Sequence, residues 1–184
     1  MQPNKLPPHL GGHLYKTHID ESSLDYLIDR YNVESMCDIG CGPGGMVKLA
    51  QEKGMQSTGI DGDFTLKHSD EINVIVHDFT TGPLHLPEVD LSWSVEFLEH
   101  VHEKYMDNYF SVFSVSRIVF CTFSMTTRGH HHVNVKDQKY WDDVFQSYGF
   151  LKDVESTDYV RKNSSMKRSF VRDTGTVFVN RKHS

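Results

Sequence analysis

Residues that could do chemistry gather in four places along this sequence. The first is Asp38-Ile39-Gly40-Cys41-Gly42-Pro43-Gly44-Gly45. Glycine has no Cβ and takes positive φ readily, so such a run turns the backbone sharply and lets it approach a ligand closely. The run leaves an expected strand and opens an expected helix, whose first N–H groups suit an anionic group. An ordinary tight strand-to-helix connection would use the same glycines. The second place is Gly59-Ile60-Asp61-Gly62-Asp63. It ends a second expected strand about twenty residues on, where a carboxylate can accept from both hydroxyls of a ribose. The third is Asp78-Phe79. Here a carboxylate can accept from an exocyclic amine while an apolar ring covers the face of a base.

The fourth place joins two segments. Trp93 and Ser94 end a fourth expected strand, and Glu96, Glu99 and His100 follow them. In open α/β sheets ligands meet the chain outside the carboxyl ends of the strands. Four residues separate Glu96 from His100, which puts both on one face of an expected helix. They serve either acid/base work and substrate orientation, or a helix-start carboxylate with His100 packed beneath it. Downstream lies the run His130-His131-His132. A neutral imidazole can take a proton from an attacking hydroxyl, because its pKa lies near working pH. A structural loop would read the same way. Adjacent histidines without a patterned carboxylate or cysteine beside them are weak ligands, so no metal is expected.

These groups need a scaffold, and the hydrophobic pattern supplies one. Leu24, Leu27, Ile28 and Tyr31 fall at helical spacing over 20–31, with Asp20 or Ser22 as cap. From Ser35 onward strands alternate with helices: strand 35–39, helix 44–53, strand 56–60, a short helix near 64–70 and strand 72–77. Then come a Gly/Pro loop over 80–88, strand 90–93, helix 103–114, strand 117–122 and a polar loop over 126–136. Helix 137–148, stopped by Gly149, leads to closing strands 150–156 and 175–181. Alternation of this kind implies a parallel sheet with helices on both faces. The expected fold class is therefore α/β: a doubly wound, Rossmann-like, mostly parallel sheet of about seven strands. Residues 1–184 read as a single domain, with an irregular extension over 1–19 and a core over 20–184.

Composition narrows the function. The 184 residues carry a net charge of -6 and 38% hydrophobic content, which fits one globular unit. No apolar run has the length of a membrane span, and Met1–Pro8 lacks a basic start followed by an apolar stretch. A cytoplasmic protein is the expectation. Three cysteines, Cys37, Cys41 and Cys121, are an odd number and read as small buried residues rather than a disulfide framework. Residues 161–184 hold seven Lys/Arg against one acid, while the rest of the chain holds twelve against twenty-four. That distribution argues against a general nucleic-acid binder. It leaves a local basic patch, or a charged sheet edge.

Taken in order, Asp-Ile-Gly-Cys-Gly-Pro-Gly, then Gly-Ile-Asp, then His-Asp-Phe, then Asp90-Leu-Ser-Trp-Ser-Val-Glu-Phe-Leu-Glu-His-Val101 resemble the motifs of class I S-adenosylmethionine-dependent methyltransferases. The resemblance covers roughly residues 20 to 182. The glycines also meet a dinucleotide fingerprint through Gly40, Gly42 and Gly45, so a dehydrogenase is a competitor that the later motifs disfavour. The resemblance implies S-adenosyl-L-methionine as cofactor, with a contact set of Asp38, Gly40, Cys41, Gly42, Asp61, Gly62, Asp78, Phe79, Trp93 and Ser94. It implies that the two closing strands form an antiparallel edge hairpin. It also allows His13, Tyr15 and His18 to lie near the methionine end, the other reading being surface residues of an extension. The segment His131-His132-Val133-Asn134 is similar to a substrate loop of small bacterial and phage members. His131 and His100 are the catalytic candidates. The fourth strand lacks the Asn/Asp-Pro-Pro-Tyr/Phe motif of exocyclic-amine methylation, and no cysteine follows a proline. A small-molecule or glycan hydroxyl is the expected acceptor. The alternatives are an RNA or protein acceptor docked on the basic segment, or a non-catalytic binding subunit.

Overall fold

The structure is a computed structural model and describes residues 5–183. Its strands are β1 (Ser35–Ile39), β2 (Gln56–Asp61), β3 (Val74–Val76), β4 (Val89–Ser94), β5 (Ser116–Cys121), β6 (Phe150–Lys152) and β7 (Thr176–Asn180). Its helices are α1 (Glu21–Tyr31), α2 (Gly45–Glu52), α3 (Met106–Phe113), α4 (Gln138–Ser147), α5 (Val154–Asn163) and α6 (Phe170–Thr174). The sheet order is β3-β2-β1-β4-β5-β7-β6. The first five strands run parallel, and β7 pairs antiparallel with both β5 and β6. The fold is thus Rossmann-like with an antiparallel closing pair, as the pattern of elements requires.

Period-two alternation explains why both faces of the sheet are buried. Cys37, Ile39, Val119, Cys121 and Phe178 face the aromatic layer of α3 and α4, which contains Tyr109, Phe110, Phe113, Trp141 and Phe145. Met36, Leu91, Trp93, Ile118, Phe120 and Val177 face Leu24 and Leu27 of α1, Met46 and Ala50 of α2, and Val160 and Val171. All three cysteines are free and buried, and burial pushes the Cys37, Cys41 and Cys121 thiols up.

Three expected elements differ. No helix forms over 64–70. Asp63 instead accepts from the Thr65 N–H at 2.8 Å and the Thr65 hydroxyl at 2.6 Å, a local bond that competes with helix formation. The strand expected over 150–156 stops at Lys152, because Asp153 accepts from the Ser156 N–H at 2.9 Å and caps α5. The chain between β6 and β7, which holds five of the seven basic residues of 161–184, is therefore mostly helical, and part of its charge is used inside the fold. Arg161 donates to the Gly175 carbonyl and to Gln138, and Arg172 donates to the carbonyls of Met166, Lys167 and Arg168. Finally, Glu96 has φ 54. That left-handed residue breaks the expected helix, and Leu98–His100 form a single 3₁₀ turn.

Asp20 is a buried hub. Its Oδ1 accepts from Ser23 N at 3.1 Å, capping α1, and from Ser165 N at 3.0 Å, while Oδ2 accepts from the Ser164 hydroxyl at 2.5 Å. It ties the start of α1 to the chain between α5 and α6. Replacing it loses a cap and strands buried donors. Asp20→Ala is therefore expected to lower the unfolding free energy by about 2–3 kcal/mol. Ser22→Ala, at an exposed position, should stay within about 0.5 kcal/mol. Urea denaturation of the two variants checks the difference, and equal midpoints would refute the hub.

Candidate functional site

The glycine turn after β1 is built from left-handed residues: Gly40, Gly42 and Gly44 have φ of 76, 50 and 82. A Cβ on Gly40 would lie 2.9 Å from Phe97 Cδ2, so the turn needs glycine there for space as well as for conformation. Its N–H groups point toward β2: Gly40 N and Cys41 N both donate to the Ile60 carbonyl, at 2.8 and 3.1 Å. At the tip of β2, Asp61 accepts from Gly42 N through Oδ2 and from Asp63 N through Oδ1, each at 2.8 Å. Two sequence-distant landmarks thus meet at one corner.

Asp38 lies beneath that corner, 4% exposed. Burial, and then the neighbouring Asp61, push its carboxyl up to about 8. A cation beside it would favour its ionised form. At the tip of β3, Asp78 accepts from Thr80 N at 2.8 Å and meets His9 Nε2 at 2.8 Å. Burial raises its carboxyl, but the bonds from His9 and Thr80 outweigh this and hold it below the ordinary value. Phe79 is buried and meets His77, Phe97 and Tyr109 edge-on.

Several expected contacts differ in character. Trp93 is fully buried, with its ring 4.2 Å from that of Phe120. Strand alternation turns it into the core under α1, so its side chain does not offer the expected cofactor contact. Ser94 is fully buried too and donates to the Ile39 carbonyl at 3.2 Å. Cys41 is buried, and its Sγ would lie 2.7 Å from a Cβ on Gly59. Gly62 lies under the amino-terminal segment: a Cβ there would fall 2.5 Å from Leu10 Cδ2.

That segment forms a strap across the strand tips. His13 Nε2 lies 3.0 Å from Asp63 Oδ2, Thr17 Oγ1 accepts from Gly45 N at 3.0 Å, and the His130 imidazole meets the Leu10 carbonyl at 2.9 Å. Asp63 is pushed up by burial, but bonds from Thr65 and His13 outweigh that and hold it low. The strap therefore bridges the glycine corner and the histidine loop. Tyr15 is exposed, and His18 stands edge-on to Phe170 at 5.0 Å.

The histidine loop folds back on the turn after β4. Val133 N and Asn134 N both donate to the Glu99 carbonyl, at 2.9 and 3.0 Å. His131 stands between His9 and His102, with ring centroids 6.1 and 5.7 Å away. Burial, and then the surrounding histidines, lower its pKa, so the ring is neutral near pH 7. His100 is pushed down to about 4, by burial first and His132 second. It sits 4.9 Å from the His132 ring.

No helix among the described residues is long and apolar enough to cross a membrane. Comparison with curated proteins finds no match. The family described as "Methyltransferase domain" matches residues 37–114. Among solved structures, magnesium protoporphyrin IX methyltransferase from Synechocystis PCC 6803 with bound SAM aligns at 16% identity and TM-score 0.58, over 87% of this chain and 77% of that one. The methyltransferase domain of bacterial CtHen1 aligns at 18% identity and TM-score 0.59, over 86% and 95%. A Burkholderia thailandensis 1,6-didemethyltoxoflavin-N1-methyltransferase aligns at 10% identity and TM-score 0.59, over 86% and 75%. At such identities the likeness establishes the fold, and the acceptors differ among these proteins. The segment that matches the methyltransferase-domain family lies over the glycine turn, Asp61 and Asp78, and the sheet has the fold of S-adenosylmethionine-dependent methyltransferases of known structure.

Proposed function

We propose that this chain is an S-adenosylmethionine-dependent methyltransferase that acts on an oxygen of a small-molecule or glycan acceptor. Residues 20–184 would form one catalytic unit and residues 5–19 a strap over its cofactor site. The observation that carries the cofactor assignment is the corner where the Asp61 carboxylate meets the Gly42 N–H above a buried, raised Asp38. When bound, S-adenosylmethionine supplies a methyl group already activated on a sulfonium.

What the protein adds is placement, an effect that can reach roughly 7–11 kcal/mol. Asp61 would hold the ribose, and Asp78 with Phe79 the adenine end. Gly40, Gly42 and Gly62 would let backbone come close. Asp38 would face the ammonium of the methionine part. His131, neutral and at the mouth of the site, would take the proton from the acceptor hydroxyl. The oxygen reading rests on that available imidazole. The polyanion-docking alternative loses support from Arg161 and Arg172, whose guanidinium groups are engaged by backbone carbonyls.

Four outcomes are expected. Asp61→Ala should weaken S-adenosylhomocysteine binding about tenfold, or about 1.4 kcal/mol, for loss of a charge-assisted bond. Unchanged affinity by calorimetry rejects the ribose role. Asp38 has a raised pKa, so it is largely protonated below about 8, whereas a bound cation favours its ionised form. Cofactor affinity should therefore rise between about pH 6 and 7.5, by up to about tenfold per unit. Asp38→Asn should flatten that slope, and a slope that survives would assign it to another group.

His13→Ala should free the strap and speed tryptic cleavage after Lys16 while leaving the global melting temperature near its original value. Cleavage at the original rate would show that the Asp63 contact does not hold the strap. Last, incubation with methyl-labelled cofactor and a panel of hydroxylated small molecules and oligosaccharides should yield an O-methyl product. His131→Ala should cut turnover far more than cofactor affinity. Label found on nitrogen or on RNA would overturn the oxygen reading.

A further inference from the structure

Close to the proposed acceptor side, two carboxyl groups and two imidazoles turn lone pairs toward one another. Glu99 is fully buried, and neither of its carboxylate oxygens makes a well-formed hydrogen bond among the described residues, the nearest donors being the backbone N–H groups of Glu99 and Ser124. His100 Nδ1 is buried and unpartnered as well. Ligand atoms of Glu99, His100 and His132 all lie within 4.8 Å of one another. The fourth group is the Glu96 carboxyl, which lies in contact with that of Glu99 and takes the Thr122 hydroxyl at 2.9 Å. Two buried carboxylates in contact need a shared proton or a cation between them. A shared proton would satisfy one oxygen and leave the imidazoles unserved. A cation satisfies all of them at once.

The surroundings are arranged as ligands require. His132 Nδ1 lies 2.6 Å from the Thr126 carbonyl, which fixes the proton on Nδ1 and leaves a lone pair on Nε2. A Cβ on Gly129 would fall 2.1 Å from that Nε2, so glycine leaves the nitrogen unobstructed. His100 makes its own hydrogen bond to the His130 backbone, which leaves Nδ1 as its lone pair. A backbone carbonyl on the far nitrogen is what orients metal-binding imidazoles. The two N–H bonds from Val133 and Asn134 to the Glu99 carbonyl lock the two segments in this register. Ligands about 2.1 Å from a common ion stand roughly 3.5 Å apart, so small rotations of these side chains close the set.

We propose that Glu99, His100 and His132, supported by Glu96, bind one divalent transition cation. Two imidazoles with carboxylate suit Mn²⁺, Fe²⁺, Co²⁺ or Zn²⁺ better than Mg²⁺ or Ca²⁺. The sequence reading set a metal aside because no carboxylate stands beside the histidine run. The fold brings one there from the other side of β5.

The test uses the full chain, stripped with chelator and exchanged into metal-free buffer. Titration with Zn²⁺, Mn²⁺, Co²⁺ and Mg²⁺, with elemental analysis after desalting, should show one transition cation per chain, a raised melting temperature, and Mg²⁺ as the weakest binder. Co²⁺ should give visible absorption bands that chelator removes. Glu99→Gln keeps the side-chain volume and removes the acid pair. Metal-free, it should melt at or above the unsubstituted protein, and it should lose cation affinity by about tenfold or more. His132→Ala should lose the cation too, whereas His131→Ala should keep it. S-adenosylhomocysteine binding, measured alongside, separates failure of this site from failure of the cofactor assignment. Absence of bound cation and of a thermal shift in the unsubstituted protein would overturn the proposal and leave a shared proton as the occupant. Loss of binding in His131→Ala with retention in His132→Ala would overturn it in favour of adventitious binding to the surface histidines.

Discussion

The site depends on one backbone constraint: the chain must leave β1 through three residues of positive φ. That path returns α2 against the sheet and leaves the Gly42 N–H within 2.8 Å of Asp61. Side chains with a Cβ would be strained at each of these three positions, and at Gly40 one would also meet Phe97. The carboxylate at the tip of β2 is held by the turn it faces. Asp38, two residues before the first of these glycines, is buried beside Asp61 and shifts upward as a result. The corner proposed for the cofactor is therefore a consequence of backbone geometry first and of side-chain chemistry second.

Much of this was legible in the sequence, for physical reasons that differ from residue to residue. Gly40, Gly42 and Gly44 mark positive φ by their type alone. The strands show because both faces of the sheet are covered, so β5 reads as an almost unbroken apolar run. Asp20 as a cap follows from its place before Leu24 and Leu27. Elsewhere local side-chain bonding overrode the pattern. Asp63 diverted 64–70 from a helix, and Asp153 turned an expected strand into α5. Trp93 looked available at the end of β4, yet strand parity directs it into the core. The meeting of Glu99 with His132 is set by backbone bonds between distant segments, and no local spacing carries that information.

Burial gives the two sides of the cleft opposite electrostatic characters. On the cofactor side, Asp63 and Asp78 are held ionised by imidazole and backbone donors. On the histidine-loop side, Glu96 and Glu99 are raised by desolvation, and His100 is lowered by it. One side is already compensated, and the other carries unsatisfied acceptors. The strap touches both, through His9 and His13 on one hand and Leu10 with His130 on the other.

Asp20 ties the carboxyl end of that strap to Ser164 and Ser165, while His9 and His13 fasten its other half to Asp78 and Asp63. Both carboxylates at these strand tips thus already have an imidazole as neighbour. A ligand that used the Asp78 carboxylate would have to take the place of His9 there.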